Sequence, residues 1–227
     1  VVEEAIRRNE SLRDEVGDLS VRPFVTRGPG RNTRTAGPPN VFVRVVSLDF
    51  GRFARFYQTG AHGVIPRTRS YSPESLDPKV KHYSRMNFAL AELEVGDVDP
   101  DAWPILIDTD GNLTEGTGSN VFLVTNGVIR TVGDHGILQG VSRGMVFDLA
   151  RQLDIPIIEE DLQPYDLYTA DEAFFSGTSI AVLPVTRVDN RQLGDGKPGP
   201  IVNRILAAWS ETVGIDIVDQ ALRFDRG

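Results

Sequence analysis

The chain of 227 residues is long enough to bury one large or two modest hydrophobic cores, and its 40% hydrophobic and 25% charged residues are typical of a soluble globular protein. A net charge of −8 argues against a nucleic-acid-binding surface, and the absence of cysteine excludes disulfides and thiolate metal sites. The sequence shows neither a secretory leader nor an apolar run long enough to span a membrane, so we expect a soluble, cytoplasmic protein.

The order of patterns along the chain predicts an α/β (α+β) fold with two domains. A helical pattern opens the chain, and two strands, residues 19–26 and 41–48, flank a loop rich in Gly, Pro, Arg and Thr. We interpret residues 1–52 as the remnant of a small α/β domain that is incomplete in this chain. Residues 53–60, with an irregular aromatic pattern, are predicted to connect it to a large domain, residues 61–227.

The predicted large domain contains both strands and helices. Its predicted strands are residues 62–67, 105–108, 121–124, 128–130, 155–159, 173–175 and 181–185. Its predicted helices are residues 85–95, 141–153 and 201–213. Asn126 and Gly127 favour a type I′ turn between two of the strands, because both residue types accept positive φ angles.

Lysine is scarce in this sequence. Of 24 basic residues only three are lysines, namely Lys79, Lys81 and Lys197. Because arginine stays protonated, a reaction that needs a free amine on a side chain has only these three candidates. Lys81 follows an apolar Val80 at the point where a β pattern gives way to a helix, which favours partial desolvation of its amine. Lys79 is the main rival for the role of the reactive amine. The plain alternative is that both lysines are solvated loop residues without a chemical role.

Four stretches together resemble the class IV aminotransferases, the fold-type IV pyridoxal-phosphate family. They are LDPKVKHYSRM at residues 76–86, DTDGNLTEGTGSN at 108–120, ILQGVSR at 137–143 and ADEAFFSGTS at 170–179. Glu115 lies 34 positions after Lys81, which matches the family pattern. Gln139 departs from the usual proline of the third stretch. Each piece alone is weak, but their order along one chain is specific.

The resemblance implies that Lys81 carries pyridoxal 5'-phosphate as a Schiff base and that Glu115 faces the ring nitrogen of the cofactor. A carboxylate at that nitrogen keeps the ring protonated, so the cofactor works as an electron sink. The plain alternative for Glu115 is an ordinary glutamate at a strand end. Asp108 and Asp110 fit a structural role better, as turn-forming residues.

The resemblance also implies a phosphate site at the start of the helix near Val141. Leu138 packs on the ring, the Val141 amide and Ser142 hold phosphate, and Thr178 completes the grip. Free N–H groups at a helix start favour an anion there. The alternative for Ser142 is to cap its own helix. The main phosphate arginine of the family lies upstream of anything in this chain, so we expect weak cofactor affinity if it is truly absent.

The signals for the substrate are mixed. SVRP at residues 20–23 resembles a strand of the branched-chain enzymes, whereas TRG at 26–28 resembles the D-amino-acid and (R)-amine enzymes. Arg22, Arg31 and Arg34 are candidate carboxylate clamps, since a guanidinium pairs well with a carboxylate. Thr178 and Ser179 are further substrate-binding candidates. No cluster has metal-ligand spacing, so we expect no metal.

The sequence therefore predicts a transaminase that moves an amino group between an amino acid or amine and a 2-keto acid, with the handedness of the substrate open. The resemblance implies a homodimer. Two alternatives stay open, a lyase of the aminodeoxychorismate type that uses the same lysine, and a truncated relative without activity.

Overall fold

The structure, a computed structural model, describes residues 1–16, 18–30, 34 and 37–225. These residues divide into two compact units, Val1–Arg52 with Gln220–Gly227, and Phe53–Asp219. Residues 53–60, expected to be a connection, contribute helix α3 to the second unit. Within the described residues, no helix combines the length and apolar composition needed to cross a bilayer.

The first unit contains α1 (Val2–Arg8), α2 (Glu10–Val16), β1 (Leu19–Thr26) and β2 (Asn40–Ser47). The two strands pair antiparallel over their whole length, from Leu19 opposite Ser47 to Thr26 opposite Asn40. Both strands were predicted from their β-branched pattern, and both are confirmed.

The second unit is a mixed sheet covered by helices. Its elements, with α8 continuing into the first unit, are α3 (Ala54–Thr59, after a 3-10 turn at Gly51–Phe53), β3 (Ala61–Val64), α4 (Met86–Gly96), β4 (Trp103–Pro104), β5 (Asn120–Thr125), β6 (Val128–Val132), α5 (Val141–Gln152), β7 (Ile157–Glu160), α6 (Pro164–Tyr168), β8 (Glu172–Gly177), β9 (Ala181–Val188), β10 (Arg191–Gln192), α7 (Pro200–Val213) and α8 (Ile217–Arg223). The strand order is β4-β3-β9-β8-β5-β6-β7, with β10 pairing at β9.

The predicted hairpin is confirmed at β5 and β6. Asn126 has a φ of 50° and Gly127 a φ of 79°, the two positive angles of a type I′ turn. The backbone N–H of Asn126 also donates to Oδ2 of Asp171 at 2.7 Å, which fixes the turn to the start of β8.

Two predicted strand features are wrong. Residues 105–108 form no regular strand. Ile107 makes only an isolated antiparallel β-bridge with Leu113, and the backbone N–H of Leu106 donates to the carbonyl of Glu115 at 2.9 Å. Lys81 lies in an irregular segment between β3 and α4, because nearby prolines such as Pro78 lack a backbone donor. The predicted turn role of Asp108 is confirmed, since its Oδ1 accepts N–H groups of Asp110 and Asn112 at 2.9 and 2.8 Å.

Glu172 shows how one motif acid supports the fold. Its side chain is buried, and its carboxylate accepts the N–H groups of Ile201 at 3.1 Å and Val202 at 2.9 Å, in the first turn of α7. Carboxylates at a helix start pair with free donors and with the positive end of the helix dipole. The acid of β8 therefore caps α7.

We expect Glu172→Ala to lower the free energy of unfolding by about 2 kcal/mol, because two buried N–H groups lose their acceptor. Urea unfolding of the purified variants measures this. Asp171→Ala is the matched control, since its side chain is exposed and accepts one N–H. An equal loss in both variants would contradict the capping role.

Candidate active site

The second unit holds a cavity of about 290 Å³ into which the four motif stretches converge. It is lined from residues 70–88, 115–120, 136–142 and 176–178. The lining includes Lys81, Glu115, Leu138, Ser142 and Thr178. Val141 lines it as well, so every cofactor-binding residue that the resemblance implies lies around one cavity.

The sheet explains this convergence. Strand β5 begins at Asn120 and strand β8 ends at Gly177, and Asn120 lies directly opposite Ser176 in the antiparallel register. Because the start of one strand adjoins the end of the other, the loops at this edge meet. The buried side chain of Asn120 donates to the carbonyl of Leu138 at 2.9 Å, which holds the loop before α5 against the same edge.

Glu115 lies in the cavity wall with its carboxylate tied to that loop. The backbone N–H of Leu138 donates to Oε2 of Glu115 at 3.1 Å, and the side-chain amide of Asn120 is 3.5 Å from the same oxygen. Burial raises the pKa of Glu115 to about 7, against the lowering effects of the Leu138 N–H and the charges of Lys81 and Arg85. A cation placed beside this acid would favour its carboxylate form.

The two neighbouring lysines have different surroundings. Lys81 lines the cavity, and its charge acts on Glu115. Lys79 is outside the lining, and its Nζ lies 3.4 Å from Oδ2 of Asp134. The geometry favours Lys81 over its rival. The expected desolvation of its amine is wrong for this structure, because Lys81 is exposed.

The start of α5 forms a second wall. Gly140 is the N-cap of the helix, and no described side chain caps it. A Cβ at Gly140 would lie 2.3 Å from Oδ1 of Asn120, so only glycine allows this close approach. Ser142 is the second residue of the helix, which excludes the alternative that its hydroxyl is the N-cap. The first-turn N–H groups are thus available to an anion.

Sequence reasoning missed several polar groups in the lining, and three of them have distinctive surroundings. Arg85 has its guanidinium 4.6 Å over the ring of Phe88 and donates to the carbonyl of Thr117. Nδ1 of His82 and Oγ of Ser176 are buried and have no hydrogen-bond partner among the described residues. All three belong to the quoted motifs, so their position in those stretches is the signal that could have identified them.

Among the described residues that were predicted to bind the substrate, only Thr178 lines the cavity. Arg22 is exposed on β1 in the first unit, where its Nε donates to Oγ of Ser20 at 3.0 Å. Arg34 is exposed in the same unit, and Arg31 lies outside the described residues. Thr178 lines the cavity, whereas the following Ser179 is not among the lining residues. The substrate roles of these residues stay predictions.

No group of three or more His, Cys, Asp or Glu side chains suited to a metal ion occurs among the described residues. His62, on β3, instead contacts the loop after α4 and the turn after β9. Its Nδ1 lies 2.8 Å from Oδ2 of Asp99, and its Nε2 lies 2.7 Å from the carbonyl of Asp189.

The raised pKa of Glu115 predicts a pH-dependent stability. A folded pKa of about 7 against an ordinary value of 4.5 means that the folded chain holds the proton more tightly than the unfolded chain. The free energy of unfolding therefore falls as the pH rises through this window. We expect Glu115→Gln to unfold like the wild type near about pH 5 and to be about 2 kcal/mol more stable near about pH 8.

Urea unfolding at both pH values, without added ligand, measures this difference. Glu92→Gln is the control, because it removes an exposed acid of α4 outside the cavity. A Glu115→Gln gain that is the same at both pH values would rule out the buried titration.

The profile of the amino-transferase class IV family matches residues 1–188. A Methanocaldococcus jannaschii protein, provisionally named a branched-chain-amino-acid aminotransferase, is 33% identical over 93% of this chain and 74% of its own length. The Pseudomonas aeruginosa branched-chain-amino-acid aminotransferase is 28% identical over 90% of this chain and 69% of its own length.

Solved structures agree with this assignment. The T.th. branched-chain amino acid aminotransferase with pyridoxamine 5'-phosphate superposes with a TM-score of 0.84 at 26% identity, over 94% of this chain and 70% of the other. The Escherichia coli branched-chain enzyme gives a TM-score of 0.75 at 26% identity, over 94% and 68%. The expected fold type is confirmed, and the chain belongs to the class IV aminotransferases, the family of pyridoxal-phosphate-dependent transaminases that its motifs resemble.

Proposed function

We propose that this chain is an aminotransferase that moves an amino group between a branched-chain amino acid and a 2-keto acid, with pyridoxal 5'-phosphate as its cofactor. The observation that carries the proposal is the cavity itself, where an amine, a half-buried acid and an uncapped helix start face one space. The branched-chain relatives support this choice of substrate.

The lining fits the cofactor at each of its functional groups. Lys81 would supply the amine for its aldehyde group, Glu115 the acid for its ring nitrogen, and Leu138 an apolar contact for its ring, and all three residues line the cavity. The first turn of α5, with Val141 and Ser142, supplies donors for the phosphate, together with Thr178. When bound, pyridoxal phosphate delocalises the electron pair that a leaving proton creates at the substrate carbon.

The residues of the chain then do two things. Lys81, once its amine is free, would take the proton from the substrate carbon as a general base and would hold it as the general acid for its return. Glu115 would accept a hydrogen bond from the protonated ring nitrogen of the bound cofactor. Its pKa of about 7 lets a neighbouring positive charge convert it to the carboxylate at neutral pH.

The substrate carboxylate needs a cation, and the second unit supplies one candidate of its own. Arg85 lines the cavity and lies close enough to Glu115 to lower its pKa. Arg22, Arg31 and Arg34 are the candidates from the first part of the chain. A guanidinium at any of these positions can bind a carboxylate with two parallel hydrogen bonds.

The exposed face of α4 supports a homodimer. Met86, Leu90 and Leu93 are 70%, 47% and 69% exposed, while Asn87, Ala91 and Val95 on the other side of the helix are buried. Positions i, i+4 and i+7 of a helix lie on one face. An exposed apolar stripe of this kind is typical of an interface, and a second copy of the chain is the partner that we propose.

We expect Leu93→Glu to convert the dimer to monomer, because it places a charge in the apolar stripe. Sedimentation velocity of the cofactor-loaded protein measures the mass. Val213→Glu is the control, since it changes an exposed apolar residue on α7 outside the stripe. A dimer that survives Leu93→Glu would contradict an interface on α4.

We expect Lys81→Ala to abolish both the covalent link to pyridoxal phosphate and amino transfer, because Lys81 is the one lysine among the described lining residues. Borohydride reduction followed by peptide mass mapping locates the modified lysine, and keto-acid formation from L-leucine measures turnover. Lys79→Ala is the matched control and should keep both, since Lys79 pairs with Asp134 outside the lining. Labelling that persists in Lys81→Ala would disprove the assignment.

The same assay tests the substrate. L-Branched-chain donors should react faster than D-amino acids or (R)-amines. If D-amino acids or (R)-amines react faster instead, the proposed branched-chain substrate is wrong and the chain belongs to another branch of the family. Release of pyruvate from an aminodeoxychorismate donor without a keto-acid acceptor would identify the lyase alternative.

A further inference from the structure

Strand β8 carries a buried hydroxyl that no described protein group satisfies. Ser176 is 1% exposed, and its Oγ has no hydrogen-bond partner among the described residues. The same residue lines the cavity. Leaving a buried hydroxyl unpaired costs free energy, so such groups are rare unless something else supplies the partner. Because Ser176 lines the cavity, a ligand bound there can supply that partner.

The position of Ser176 shows which part of a ligand it would meet. Ser176 lies directly opposite Asn120, and side chains of directly opposed strand residues share one face of the sheet. Oδ1 of Asn120 in turn lies only 2.3 Å from the place of a Cβ on Gly140, the N-cap of α5. The hydroxyl thus lies on the side of the cavity where α5 begins.

The same side of the cavity collects donors for an anion. The uncapped first turn of α5 offers backbone N–H groups, and Ser142 belongs to that turn. Thr178, two residues after Ser176, also lines the cavity. Oε2 of Glu115 already accepts hydrogen bonds from Leu138 and Asn120, and its other oxygen is the acceptor that we propose for the ring nitrogen. An anionic oxygen is therefore the acceptor that suits the Ser176 hydroxyl best.

We propose that Ser176 is a buried donor to the phosphate of pyridoxal phosphate, in addition to the start of α5, Ser142 and Thr178. This inference rests on the proposed function, since it assumes that the cofactor occupies this cavity. A hydrogen bond to a charged acceptor is stronger than one between neutral groups, and burial protects it from competition with water. Ser176 would then bind the cofactor without taking part in proton transfer.

The test compares cofactor-free wild type, Ser176→Ala and Thr131→Val. Thr131 is the control because its hydroxyl is also buried in the sheet but is satisfied, donating to the carbonyl of Val121 at 2.7 Å. Each protein is titrated with pyridoxal phosphate and with pyridoxal, which lacks the phosphate, and inorganic phosphate serves as a competitor. The absorbance of the bound ligand reports its dissociation constant.

We expect Ser176→Ala to weaken pyridoxal phosphate at least about tenfold and to change pyridoxal less than about twofold. Inorganic phosphate should also compete less well in this variant. Thr131→Val should leave all three ligands unchanged. Without ligand, Ser176→Ala should keep or raise the unfolding midpoint, since it removes an unpaired hydroxyl, whereas Thr131→Val should lower it.

The other outcomes each overturn the inference in a distinct way. An equal loss for pyridoxal would place the hydroxyl at the ring. An unchanged affinity for pyridoxal phosphate would mean that the phosphate is held without Ser176, and the proposed function would stand. A wild-type chain that takes up no pyridoxal phosphate would end both proposals together.

Discussion

The site depends on one buried amide, the side chain of Asn120. Its nitrogen donates to the carbonyl of Leu138, and its oxygen lies against Gly140, so it fixes the loop before α5 at the edge where β5 begins. In that loop, the backbone N–H of Leu138 donates a hydrogen bond to the carboxylate of Glu115. Glu115, Leu138 and the start of α5 are therefore placed relative to one another by one residue that takes no part in the proposed chemistry.

One face of β5 and β8 continues from the site into the core. Asn120 and Ser176 face each other at the cavity, and Phe122 and Phe174 follow with their rings stacked at 4.8 Å between centroids. Glu172 ends the row, where it caps α7. Both rings of this pair are fully buried. The face that carries Asn120 and Ser176 at the cavity therefore continues as hydrophobic core away from it.

Local residue preferences made several turns and helices of this fold predictable from the sequence. Asn126 and Gly127 encode their turn by backbone preference alone, and the apolar spacing of α5 encodes its helix, so both were predicted correctly. The segment around Lys81 was not, because its apolar residues suggested a strand that its prolines do not allow. The roles of Asn120 and Ser176 depend on strand register, which brings together residues 56 positions apart and which no local pattern contains.

The two glutamates of the family motifs differ in their hydrogen bonding, and the sequence alone does not show this difference. Glu115 and Glu172 both follow the family pattern, and both carboxylates accept backbone N–H groups. Glu172 receives two such donors at a helix start, where its charge is satisfied by the fold. Glu115 receives one from Leu138 and faces a cavity that it shares with Lys81 and Arg85. The fold leaves the hydrogen bonding of Glu115 incomplete, and this distinguishes the acid that we propose to face the cofactor from a structural one.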